Sequence, residues 1–147
     1  MAVTLTANYK EIFAAETVEK IDELLEENYD LQAMITFIDE MGSEDDFIAW
    51  YETYVEMGEA IGYEAVDALI EEMGIEAVEG CDERYQGCFD NEKEFAEYFY
   101  DEMGAYHAIP DGIVVDWEAT WETGLYYDFT ACRDGDKYKP CHIFRDN

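Results

Sequence analysis

The alternation of apolar and polar positions predicts a series of short helices over the first 104 residues. Apolar residues recur every three or four positions, and the triplet Glu-Met-Gly ends three of these runs, at 40–42, 72–74 and 102–104. A glycine directly after the last apolar position is a common C-terminal cap of a helix. The pattern therefore predicts helices at about 17–28, 30–41, 44–61, 63–73 and 91–103.

The third predicted helix carries an aromatic stripe along one face. Its members, at intervals of three or four, are Phe47, Trp50, Tyr51, Tyr54, Gly58 and Ile61. Ser43 precedes the helix and fits an N-cap position. A stripe of this kind is typical of core packing, so we interpret it as a buried face.

Beyond residue 104 the pattern changes to short β-rich runs. The runs LYYDFTAC (125–132) and YKPCHIFR (138–145) flank an Asp-Gly pair and predict a hairpin. Pro140 in the second run predicts an edge strand, and IEAVE at 75–79 fits a third strand. A proline turn at 110 and a helix from about Asp116 precede the hairpin. The predicted fold class is α+β, mostly helical, with a small C-terminal antiparallel sheet or hairpin.

Length and composition predict a folded chain. The 147 residues divide into an acidic helical region at 1–74 and an α+β region at 75–147, which contains the hairpin. The length also fits the alternative that both regions form a single compact unit. Acids number 38 against 8 bases, giving a net charge of -30, yet 49% of residues are hydrophobic and 16% aromatic. This apolar content argues against an acidic disordered tail.

The sequence gives no signal for secretion or for a membrane. The segment MAVTLTANYKEIFAAE lacks a basic region followed by a long apolar run, and no window of eighteen residues is apolar and uncharged. We therefore expect a soluble protein of the bacterial cytoplasm that does not contact a membrane.

Candidate catalytic and metal-binding patterns are weak. Cys81, Cys88, Cys132 and Cys141 are too far apart for a CxxC knuckle, and neither His107 nor His142 forms a ligand pattern with them, so free thiols are expected rather than a zinc site. The DGD run at 134–136 lacks the rest of an EF-hand loop. Ser43 is the single serine, and no phosphate-binding glycine loop occurs. We expect no cofactor and no enzymatic activity; a small hydrolase that uses a carboxylate pair is the enzymatic alternative.

Carboxylates repeat at helical spacing on the faces opposite the apolar ones. On the first predicted helix the intervals are 3, 4 and 3. The third, fourth and fifth predicted helices repeat the arrangement, including Glu94, Glu97 and Asp101 on the fifth. The candidate partner-binding residues, each standing in for a phosphate, are Glu16, Glu19, Glu23, Glu26, Asp45, Asp46, Glu52, Glu56, Glu59, Glu64, Asp67, Glu71 and Glu72. We call the carboxylates of one helix face an acidic row.

These rows cost stability, which indicates a function. Between residues 21 and 83 there are 21 acids and no Lys or Arg. Each like-charged pair one turn apart costs about 0.2 to 0.5 kcal/mol. Carboxylates every 3.5 residues lie about 5 Å apart along a helix, and duplex DNA presents one charge per about 1.7 Å, so three neighbouring rows match the duplex. The spacing favours DNA mimicry toward a basic partner; a solvated face, a halophilic surface or a cation buffer are the alternatives.

Two thirds of the chain then resembles a known family. The segment from FIAWYETYVEMGEAIGYEAVDALIEEMG through NEKEFAEYFYDEMG, VVDWEATW and the closing HIFR resembles the central and C-terminal parts of the ArdA antirestriction proteins. The resemblance implies a protein of a phage or other mobile element that imitates bent duplex DNA and occupies the DNA-binding cleft of a Type I restriction-modification enzyme. It also implies a homodimer joined through the C-terminal region, without a cofactor and without direct binding of nucleic acid.

Two departures from the family pattern widen the range of targets. Members usually begin with a separate small α/β domain, whereas only MAVTLTANYK precedes the helices here, and WETGLYYDF lacks an expected Arg-Asp pair. The alternative to a Type I restriction-modification enzyme is another DNA-binding protein: a CRISPR effector that is inhibited, or a basic nucleoid protein that is sequestered.

Overall fold

The computed structural model describes residues 8–104, 109–133 and 140–146. Backbone contacts divide the chain into two compact units, residues up to Val55 and residues from Glu56 onward. The composition changes near residue 74, whereas the contacts divide the chain earlier, within a long helix.

The described part of the first unit is helical. Its helices are α1 (Tyr9–Ile12), α2 (Ala15–Glu26), α3 (Leu31–Met41) and α4 (Glu44–Ile61), the last of which continues into the second unit. The three predicted helices of this region are confirmed to within two residues. The Asp30 carboxylate caps α3 by accepting the Ala33 N–H at 2.9 Å, and the Ser43 hydroxyl accepts the Asp46 N–H at 3.2 Å, as predicted for an N-cap.

Aliphatic and aromatic side chains fill the core of the first unit. Its buried members are Ile21, Leu24, Met34, Ile35, Phe37, Ile38, Phe47 and Tyr51. The Phe37 ring lies edge-on to Tyr51 with centroids 5.1 Å apart, and Phe47 lies 5.2 Å from Tyr51. The aromatic stripe of α4 is therefore a core face, as predicted, and such ring pairs add to the gain from burial.

The second unit adds a three-stranded sheet to helices. After α4 its elements are α5 (Tyr63–Met73), a 3-10 turn (Ile75–Val78), α6 (Cys81–Arg84), β1 (Tyr85–Phe89), α7 (Glu92–Glu102), α8 (Trp117–Thr123), a second 3-10 turn (Leu125–Tyr127), β2 (Phe129–Cys132) and β3 (Cys141–Arg145). The strand order is β1-β3-β2, with both pairings antiparallel. The α+β class is confirmed, as are the helices predicted at 63–73, at 91–103 and from Asp116, which caps α8.

Two strand predictions are wrong. Residues 75–78 form a 3-10 turn in which Ile75 and Val78 are both buried, a spacing of three that suits one such turn and not a strand. The third strand is β1 instead. Pro140 does not mark an edge strand, because β3 lies at the centre of the sheet and begins one residue later, at Cys141. The missing N–H of the proline thus stays outside the hydrogen-bonded ladder.

The pairing of the two strands in the predicted hairpin is confirmed, but the first strand is shorter than the predicted run at 125–132. Phe129 pairs with Arg145 and Cys132 with His142, whereas residues 125–127 turn before the strand begins. The Asp-Gly turn proposed at 134–136 lies outside the described residues. The proline turn is confirmed by a hydrogen bond from the Ile113 N–H to the Pro110 carbonyl at 3.2 Å.

The core of the second unit lies where α7, α8 and the sheet meet. It contains Phe95, Ala96, Trp121, Leu125, Phe129, Cys141 and Ile143. Phe95 is fully buried, and its ring centroid lies 5.0 Å from Phe129, 5.2 Å from Phe89 and 6.1 Å from Trp121. Within the described ranges, every helix is too short or too polar to span a bilayer.

Candidate partner-binding surface

The four carboxylates of the acidic row of α2 are all exposed. Glu16, Glu19, Glu23 and Glu26 all face solvent, while Thr17, Ile21 and Leu24 on the same helix are buried. At 1.5 Å per residue the row extends over about 15 Å. The predicted separation of charged and apolar faces is thus present on this helix.

The start of α4 gives its carboxylates a structural task. Glu44, Asp45 and Asp46 occupy the first turn, where negative charge interacts favourably with the helix dipole. Glu44 accepts the Ala14 N–H at 2.9 Å, and Asp46 is only partly exposed. Of the two candidates in this turn, Asp45 is the one that is fully accessible to a partner.

Lys20 interrupts the negative surface of the first unit. Its ammonium group forms an ion pair with Glu52 on α4, and this hydrogen bond, together with Glu23 and Glu27, raises the pKa of Lys20 despite partial burial. The pair brings α2 and α4 together and partly neutralises Glu52, which was predicted to imitate a phosphate. Because the two residues are 32 positions apart, no periodic pattern along the chain indicates their pairing.

In the second unit most of the candidate carboxylates are exposed. The exposed ones are Glu56, Glu59, Glu64, Glu71 and Glu72, and Asp67 is partly buried. On α5 the opposite side is apolar and buried, through Ala65, Val66, Ala68 and Leu69. The unit also exposes Glu94, Glu97 and Asp101 on α7.

Two arginines of the second unit are engaged within the fold. The Arg84 guanidinium donates to the Ala77 carbonyl at 2.9 Å and to the Arg145 carbonyl at 3.3 Å. Arg133 forms an ion pair with Glu92. Burial is the largest single influence and would raise the pKa of Glu92. The hydrogen bond and the charge of Arg133, a backbone hydrogen bond and a hydrogen bond with Cys141 together outweigh burial, so the pKa of Glu92 is lowered. These two cations therefore stabilise the unit from within the fold.

The sheet places cysteines on either side of a histidine. Cys88 on β1 and Cys132 on β2 both pair with His142 on β3, whose Nδ1 lies 2.9 Å from the Tyr85 hydroxyl. Burial raises the pKa of Cys132 to about 12 and lowers that of His142, so the thiol and the imidazole are both neutral near pH 7. All four cysteines are free, and no cluster able to hold a metal ion occurs among the described residues.

One exposed feature of the second unit was missed by sequence reasoning. Tyr126 and Tyr127 were assigned to a strand, yet they lie in the turn before β2 and are 61% and 72% exposed. The available signal was the pair of adjacent tyrosines that follows Gly124 and Leu125. Side chains of a strand point alternately to its two faces, so a strand with one buried face would bury only one of the two rings.

Comparison of the chain with protein-family models, with curated proteins and with solved structures finds no match in any of the three.

Proposed function

We propose that this protein binds the DNA-binding surface of a basic protein by presenting carboxylates in place of DNA phosphates. The observation that carries the proposal is the acidic row of α2, four exposed carboxylates at helical spacing above a buried apolar face. Lys20 is the one cation within that helix, and it points its charge toward Glu52.

The physical basis is electrostatic complementarity. A DNA-binding cleft lined with Lys and Arg attracts any rigid array of negative charge, and this attraction guides association at low ionic strength. Helices hold carboxylates at fixed intervals on a backbone that is already ordered, whereas a disordered acidic segment would also lose backbone conformational entropy on binding. The folded rows thus act as a preorganised substitute for the duplex.

The target class follows from the resemblance to ArdA antirestriction proteins. On that basis the first target to test is a Type I restriction-modification enzyme of a bacterial host, with the protein acting as a non-enzymatic inhibitor in the cytoplasm. A homodimer joined through the C-terminal region is part of this proposal. Sedimentation velocity on the purified protein tests the dimer directly, since a monomer of 17.0 kDa is readily distinguished from a dimer.

Competition with duplex DNA tests the function. Fluorescence anisotropy of a labelled duplex bound to the restriction enzyme should fall as the protein is added at low salt, where the attraction between its carboxylates and the basic cleft is least screened. The α2 row variant E16Q/E19Q/E23Q/E26Q should compete much more weakly, whereas each single substitution should have little effect.

A matched control separates the row from total charge. The variant D39N/E40Q/E76Q/E79Q removes the same four charges from exposed positions outside the candidate set. Equal losses in the two quadruple variants would mean that net charge alone matters and that the row imitates nothing. Binding to nucleoid proteins without any competition at the restriction enzyme would replace the inhibitor by a sequestering module.

A further inference from the structure

A groove in the second unit combines exposed tyrosine rings with carboxylates. It encloses about 430 Å³ beside β2, within the range of pockets that bind small groups, and Tyr126 and Tyr127 line it. Their ring centroids are 5.6 Å apart with an interplanar angle of 79°. Tyrosines that expose most of their surface are enriched in protein interfaces, so the groove has the composition of a contact site.

The charges in this groove favour a cation. Among the described residues that line it, three carboxylates, Glu72, Glu92 and Asp146, accompany the single guanidinium of Arg133. Arg133 is paired with Glu92, which leaves two negative charges in excess. The Asp146 carboxylate accepts the Thr130 hydroxyl at 2.6 Å and is thereby held in orientation.

We propose that this groove binds an arginine side chain of the basic partner. Tyr126 and Tyr127 would contact the guanidinium plane, and Glu72 or Asp146 would accept its N–H groups. A planar, weakly hydrated guanidinium stacks on rings and pairs with carboxylates better than an ammonium, and the groove already accommodates the guanidinium of Arg133. The proposal rests on the proposed function in requiring a basic protein as the partner, and adds a discrete anchor to the distributed rows.

Titration with a defined probe tests the groove without any restriction enzyme. The full chain is titrated with the end-blocked peptide Gly-Arg-Gly while its NMR signals are followed. Saturable shifts centred on Tyr126, Tyr127 and Thr130 are expected, with weaker ones for Gly-Lys-Gly and for the uncharged Gly-citrulline-Gly. Shifts spread over all acidic helices, or equal binding of the citrulline peptide, would overturn the proposal.

A pair of ring deletions provides the matched comparison. Y127L removes an exposed ring from the groove, and Y98L removes a 45% exposed ring outside the groove lining, neither changing the charge. Y127L should weaken Gly-Arg-Gly binding about fivefold, as expected for a cation–π contact at an exposed site, and Y98L should not. Unchanged affinity in Y127L, with its fold verified by circular dichroism, would contradict the groove.

The two proposals fail separately. If the peptide binds in the groove but the protein does not compete with DNA, the groove proposal is supported and the proposed inhibitor function is rejected. If Y127L competes with DNA as well as the wild type does, and the peptide shifts lie outside the groove, the role of the acidic rows is supported and the groove proposal is rejected.

Discussion

The two units of this protein use their positive charges differently. In the second unit Arg84 bonds the carbonyls of Ala77 and Arg145, and Arg133 pairs with Glu92, so guanidinium groups join segments that are distant in the chain. In the described part of the first unit Lys20 makes one such connection, to Glu52. The aromatic core therefore holds the first unit together against its own surface charge.

This difference separates what stabilises the fold from what faces a partner. The ring centroids of Phe37 and Phe47 lie 5.1 and 5.2 Å from that of Tyr51 in the core of the first unit, whereas most carboxylates of this unit are exposed and repel each other. Apart from structural carboxylates such as Asp30 and Glu44, stability and surface charge thus reside in different side chains, and each should respond to its own kind of substitution.

The largest effect on the free energy of unfolding is expected from a substitution that creates a cavity in either core. F95A should lower the free energy of unfolding by about 3–5 kcal/mol, because it removes a fully buried ring that contacts Phe89, Trp121 and Phe129. F47A should cost a similar amount through the first unit. Urea denaturation measures the cost, and amide hydrogen exchange locates it.

The location of the loss decides how independent the units are. Each variant should reduce protection against exchange mainly in its own unit, since compact units often open separately. If both variants lose protection against exchange equally throughout the chain, the chain unfolds as a single cooperative unit and the two units do not differ in stability.

The next effect concerns the charge of the first unit. The α2 row variant E16Q/E19Q/E23Q/E26Q should raise the free energy of unfolding by about 1 kcal/mol at low salt, because it removes three like-charged pairs one turn apart. In 1 M salt, where the screening length is about 3 Å, the gain should largely disappear. Thermal melts of both proteins at the two ionic strengths measure it. A wild-type melting temperature that does not rise with salt would show that the row is not self-repulsive.

The helices of both units were predictable because their signals are local. A period of 3.6, a capping side chain and a terminal glycine all lie within a few residues of the boundary that they set. Ser43 before α4 and Gly42 after α3, whose φ is 65°, are examples. The exposure of most candidate carboxylates followed from the same periodicity, since they occupy positions opposite the buried ones.

The third strand of the sheet and the ion pairs were not predictable because they depend on distant partners. Tyr85–Phe89 is a strand through its pairing with residues 141–144, more than fifty positions away, and its own composition with Gly87 is a weak strand signal. Lys20 and Glu52 meet only through the packing of two helices. Periodicity assigns a residue to a face, but it does not say which charge lies opposite.

A smaller effect should follow the ion pair of the second unit through pH. The pKa of Glu92 in the folded state lies below its ordinary value of 4.5, so its contribution to stability is present above pH 4.5 and is lost as the pH falls through the folded value. R133Q should lower the free energy of unfolding by about 1 kcal/mol at pH 7. The difference from wild type should shrink as the pH falls below 4.5.

Urea denaturation of both proteins across this range measures the change. R133K keeps a positive charge and is the matched control; it should retain part of the stability because a charge without the planar guanidinium still attracts Glu92. A difference between R133Q and wild type that stays constant with pH would mean that Arg133 stabilises by packing.

The smallest effect tests the one ion pair described in the first unit. In a double-mutant cycle of K20Q and E52Q the coupling should be about 0.5 kcal/mol, because the Glu52 side chain is 49% exposed and solvent screens the pair. The single variants should differ, since Lys20 also interacts with Glu23 and Glu27. K20Q leaves these carboxylates uncompensated, whereas E52Q removes one negative charge from a crowded surface, so K20Q should be the more destabilising of the two. Urea denaturation at low salt measures all four corners of the cycle. If E52Q proved the more costly, the first unit would depend on that carboxylate for its structure, and its negative charges would no longer be separable from its stability.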